Sequence, residues 1–102
     1  MDMDQMQAAV AAASGLLRVL SNENRLLLMC QLSQGEQSVG QLEQGLGIRQ
    51  PTLSQQLGVL RRQGLVRTRR EGKQVIYAVR DANAMQVLEL LYRLYCLAAC
   101  GQ

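Results

Sequence analysis

The sequence predicts a mainly α domain with one small β-hairpin, in the order ααααββα, and three observations carry that prediction. Apolar residues recur at helical spacing along most of the 102 residues. Two alternating β-like runs, joined by Glu71-Gly72-Lys73, interrupt that period in the second half. The composition is 48% hydrophobic but only 3% aromatic, with no Phe or Trp, so the core must be built from aliphatic side chains and Met, which suits packed helices. A chain of this length makes one domain, 1–102.

The elements follow in order. Met6, Ala9, Val10, Ala13, Leu16, Leu17 and Leu20 give a first helix over residues 5–20. Ser21 offers an N-cap, with Glu23 in the first turn, for a second helix carrying Leu26, Leu27, Met29, Cys30 and Leu32 and ended by Gly35. Ser38-Val39-Gly40-Gln41 has the form of a capping box and opens a short third helix that closes at Gly45 or Gly47. Pro51 suits the first turn of a fourth helix, where its missing N–H costs nothing. Leu53, Leu57 and Leu60 make that helix's buried stripe, and Gly64 stops it. The runs Leu65–Arg70 and Gln74–Val79 form the hairpin, and Asp81 caps a last helix over residues 82–100.

Charge is distributed unevenly around a net +3. Between Leu46 and Arg80 stand Arg49, Arg61, Arg62, Arg67, Arg69, Arg70, Lys73 and Arg80, opposed in that stretch only by Glu71. The flanking residues are acidic on balance. A basic block of this kind is the electrostatic footprint of a polyanion-binding face.

Helices three and four with the turn between them (38–63), followed by a basic hairpin (65–79), have the layout of a winged helix-turn-helix. In that layout the second helix enters the major groove. With the leucines turned inward, Gln50, Thr52, Ser54, Gln55 and Gln56 are the expected base-reading residues. Gln pairs with adenine, Ser with either class of base, and the Thr methyl touches thymine. Arg61 and Arg62 at the helix end, and Arg67, Arg69, Arg70 and Lys73 in the wing, are expected on phosphates or in the minor groove. The last helix is apolar around more than half its girth, through Val87, Leu88, Leu90, Leu91, Leu94, Tyr95 and Leu97. One small core cannot cover that surface, which predicts a homodimer with reading helices roughly 34 Å apart.

The N-terminus lacks the charged-then-apolar order of a secretory signal, and no run reaches the roughly 18 apolar residues of a membrane span. The expected location is the cytoplasm, where thiols stay reduced. Cys30, Cys96 and Cys100 are then buried hydrophobes, soft-ligand donors or oxidant sensors. A protein without histidine, with no cysteine on its third helix, is a poor candidate for four-ligand zinc. Three thiolates, from Cys30, Cys96 and Cys100, would suit arsenite or another soft ion. The Cys96-x-x-x-Cys100 spacing is not the redox Cys-x-x-Cys, and no nucleophile elbow or phosphate loop is present, so neither a thiol oxidoreductase nor another enzyme is expected. A winged helix that binds only protein is disfavoured by the basic block.

The run from Ser38 to Leu57, and Gly64 to Lys73 with Tyr77 beyond it, resemble the helix-turn-helix and wing of the ArsR/SmtB repressors. The likeness extends from about Leu17 to Cys96; Arg49 departs from the serine usual at the start of the reading helix. The resemblance implies a transcriptional repressor, dimeric through the first and last helices (5–20 and 82–100), bound to near-palindromic operators on double-stranded DNA. Leu28-Met29-Cys30 and Tyr92-Arg93-Leu94-Tyr95-Cys96 resemble the paired cysteines of a narrower subgroup that senses persulfides or oxidants through a dithiol. On that likeness the effector is a reactive sulfur species or an oxidant, with no metal or cofactor. It joins Cys30 to Cys96 by a disulfide or longer polysulfide, the last helix shifts, and DNA is released. A disulfide demands Cα atoms about 4.4–6.8 Å apart, so closing one from a looser pair moves helices.

Overall fold

The computed structural model describes residues 1–97. Helix α1 (Met3–Leu20) is followed by α2 (Glu23–Leu32), strand β1 (Gln37–Ser38), α3 (Val39–Leu46), α4 (Gln50–Arg62), strands β2 (Val66–Glu71) and β3 (Gln74–Val79), and α5 (Ala82–Leu91). A π-helical continuation, Tyr92–Leu97, extends α5. Cys100 and the last residues of the predicted 82–100 helix lie outside the described residues.

Local chemistry accounts for most of the boundaries. Asp2 caps α1 through a capping box with Gln5. Ser38 and Gln41 form the predicted box at α3: the Gln41 N–H donates to Ser38 Oγ (3.1 Å) and the Ser38 N–H to Gln41 Oε1 (2.8 Å). Gly47 closes α3 in the left-handed region at φ +68°, and Asp81 accepts from the Ala84 N–H (2.9 Å) at the start of α5. One predicted cap is displaced by a residue. Ser21 belongs to the end of α1, where its hydroxyl donates to the Arg18 carbonyl (2.8 Å), and the neighbouring Asn22 caps α2. Both side chains can cap; Ser21 is the C-cap of α1, with its N–H and hydroxyl on the Arg18 carbonyl, so the cap of α2 falls to Asn22.

The hairpin pairs Val66 with Val79 through Glu71 with Gln74, and Gly72 takes the left-handed turn at φ +64°. The sheet has three antiparallel strands rather than the predicted two, in the order β1-β3-β2, because Gln37 and Ser38 pair with Tyr77 and Ile76 on the free edge of β3. The core centres on α2, whose Leu28, Met29 and Leu32 meet Leu42 of α3, Leu53, Leu57 and Leu60 of α4, and Leu88 of α5, all essentially without solvent contact. The result is a winged helix-turn-helix. Its radius of gyration, 15.0 Å, exceeds the roughly 13 Å of a compact domain this size. That excess matches the outer turns of α1 and the continuation of α5, which bury little: residues 1–13 and 92–97 are exposed throughout.

Candidate nucleic-acid interface and dithiol site

Helix α4 turns its three leucines inward and leaves Gln50, Ser54 and Gln55 exposed, with Thr52 half-buried. Ser54 donates its hydroxyl to Gln50 Oε1 (3.0 Å), so two of the predicted base readers are already ordered against each other. Arg49 begins the helix without a side-chain cap, as its departure from serine implies. Gln56 is half-buried, and its Oε1 accepts a hydrogen bond from Arg25 Nη1 (3.0 Å), which ties it to α2. A helix with leucines at 53, 57 and 60 puts position 56 at the edge of the buried stripe.

Arg61 and Arg62 are exposed at the end of α4, and Arg67, Arg69, Arg70 and Lys73 along the wing. Lys73 and Gln50 border one open groove of about 360 Å³, floored by Ser38, Val39 and Gly40, so the wing tip and the start of the reading helix face a common space. Arg69 differs from its neighbours. Its guanidinium pairs with Glu36, just before β1, and with Glu71 (2.6 Å). The hydrogen bond from Arg69 holds the Glu36 carboxyl below the usual carboxylate range. Within the protein, then, Arg69 is partly neutralised. Glu36 lies outside the basic block, and nothing in its local sequence marks it as a wing partner 33 residues away.

Cys30 and Cys96 are free thiols that line one apolar hollow of about 230 Å³, together with Leu26, Leu91, Tyr92 and Tyr95. Cys30 is half-buried on α2; Cys96 is exposed on the π-helical turn. Single π turns within helices are uncommon and often mark functional positions. Burial pushes the Cys30 thiol pKa up, and the neighbouring Cys96 sulfur adds to the effect. Among the described residues no three His, Cys, Asp or Glu side chains come together as a metal site. Nor is any described helix long and apolar enough to cross a membrane.

Residues 22–68 match the bacterial regulatory protein, arsR family. The chain is also 49% identical to the biofilm growth-associated repressor of Xylella fastidiosa, over 94% of this chain and 84% of that protein. The protein belongs to the arsR family. Two solved neighbours share its architecture. The transcriptional regulator HlyU of Vibrio vulnificus superposes with a TM-score of 0.90 at 41% identity, covering 94% of this chain and all of that one. Reduced HlyU of Vibrio cholerae gives 0.88 at 42% identity, over 92% and 99%. This arsR-family chain is therefore a DNA-binding transcriptional regulator and not an enzyme.

Proposed function

We propose that the protein is a homodimeric repressor that grips a near-palindromic operator and releases it when oxidation or persulfidation joins Cys30 to Cys96. The observation that carries this reading is the shared hollow: two reduced thiols from different helices open onto one apolar space. Its volume exceeds several times the roughly 30 Å³ share of a water molecule, leaving room for added sulfur atoms. Exposed Cys96 meets the effector first. With a persulfide RSSH, the Cys96 thiolate attacks the outer sulfur and expels RS⁻; Cys30 then attacks Cys96 at its Sγ and expels HS⁻. Two thiols and RSSH become one disulfide, RSH and H₂S. With a two-electron oxidant, the same two thiols lose two protons and two electrons to it.

On DNA, Gln50, Thr52, Ser54 and Gln55 read bases, while Arg62, Arg67, Arg70 and Lys73 hold phosphates, with Arg69 joining them once its acidic partners let go. Dimerisation covers the exposed apolar residues Met6, Val10 and Leu17 of α1 and Leu90, Leu94, Tyr95 and Leu97 at the other end. A relative named as a repressor and a solved structure of another in a reduced form agree with this reading. The test is an operator gel shift after persulfide or diamide treatment, paired with intact-mass measurement. The wild type gains the mass signature of a link and lets go of DNA; Cys30→Ser and Cys96→Ser stay bound. Normal release by both single variants would overturn the dithiol mechanism.

A further inference from the structure

Helix α2 touches both halves of the proposed switch from opposite sides. Leu26 and Cys30 face the hollow shared with Cys96. Arg25, five residues before Cys30 and so about 140° around the helix, faces the other way. Its half-buried guanidinium makes three contacts: Nε donates to the Val19 carbonyl (2.7 Å), Nη2 to the Arg18 carbonyl (3.5 Å) and Nη1 to Gln56 Oε1 (3.0 Å). One planar, always-charged group thus fastens the last turn of α1, the first turn of α2 and the middle of the reading helix. Leu28, Met29 and Leu32 pack the same α2 against the α4 leucines, but apolar packing tolerates sliding, whereas a guanidinium–amide bond fixes direction.

We infer that Arg25 is a positioning residue that transmits the thiol state to the reading helix, with Gln56 as its receiver on α4. The inference rests on the dithiol reading above. When Cys30 and Cys96 are joined, the lightly packed 92–97 turn takes up most of the approach, and α2 takes the remainder as a rigid body. The Arg25–Gln56 bond then carries α4 along with α2. Without that bond, α4 keeps its place while α2 shifts, and the two sites uncouple.

The experiment measures one ratio: affinity of the reduced protein divided by that of the diamide-oxidised protein, on a duplex operator selected in vitro with the reduced wild type. The wild-type ratio is expected above about 10, within the usual range of allosteric coupling. Gln56→Ala keeps both α1 carbonyl contacts of Arg25, and its ratio should fall below about 3; Arg25→Lys should give an intermediate value. A Gln56 that merely contacted a base would weaken both forms equally, and one that merely stabilised the fold would lower the melting temperature. Neither effect changes the ratio. A Gln56→Ala ratio equal to the wild type's would overturn the role of Arg25 while leaving the dithiol switch standing. A wild-type ratio of one, with the link confirmed by mass, would overturn both.

Discussion

The helix-turn-helix and the outer helices are built from the same aliphatic alphabet, yet one is finished within a single chain and the other is not. Leu53, Leu57 and Leu60 of α4 are at most 1% exposed, whereas Leu17 of α1 is 58% exposed and Leu94 and Tyr95 beyond α5 are 56% and 70% exposed. The first group has α2 and α3 to pack against. The second repeats at helical spacing with nothing among the described residues to cover it. The difference teaches that apolar periodicity specifies a helix in both places but says nothing about whose core the helix completes.

The largest effect should come from breaking the finished half. Leu57→Ala leaves a cavity among fully buried neighbours and should cost about 2–5 kcal/mol in urea unfolding of the protein. A cost under 1 kcal/mol would mean the α2–α4 core is far looser than its burial indicates. The unfinished half should answer differently. Leu17→Glu combined with Leu94→Glu should convert a dimer to monomers in sedimentation, at constant secondary structure, because neither side chain belongs to the monomer's core. A pair of variants that sediments like the wild type would move the dimer interface elsewhere.

Smaller effects separate the cations of the wing. Arg70→Ala should weaken operator binding across sequences and reduce the salt slope by about 1, as the loss of one phosphate contact does. Glu36→Gln combined with Glu71→Gln should do the opposite, releasing Arg69 and steepening the slope by up to about 1. The same contact gives a pH signature. Glu36 titrates lower in the folded protein than in the unfolded chain, so its pairing contributes at neutral pH and fades only as pH falls through and below the ordinary carboxylate range. The smallest effect is chemical. Burial keeps Cys30 a neutral thiol, so its alkylation rate should rise at higher pH than that of an unhindered cysteine. Alkylation of Cys30 at neutral pH as fast as a model thiol would contradict its half-buried setting.

How much of this was legible in the sequence depended on range. The box at Ser38 and Gln41, the Asp81 cap, Pro51 and the α4 leucine stripe are local signals, and each sits where the sequence puts it. Cys30 and Cys96 were singled out by resemblance, and the fold brings them to one hollow. What the sequence concealed is non-local. Strand β1 is only two residues long and exists because β3 has a free edge. Arg25–Gln56 and Arg69–Glu36 join residues 31 and 33 positions apart, and no spacing rule links such pairs. The π-helical turn was hidden for a different reason: Tyr92 to Leu97 carries apolar residues that suit an α-helix equally well.

The absence of tryptophan has a practical corollary. All the near-ultraviolet emission of this protein comes from Tyr77, Tyr92 and Tyr95, and the last two line the same hollow as Cys30 and Cys96. Disulfides quench phenol fluorescence, so the native chain carries its own optical gauge, and joining the thiols dims it without any attached dye.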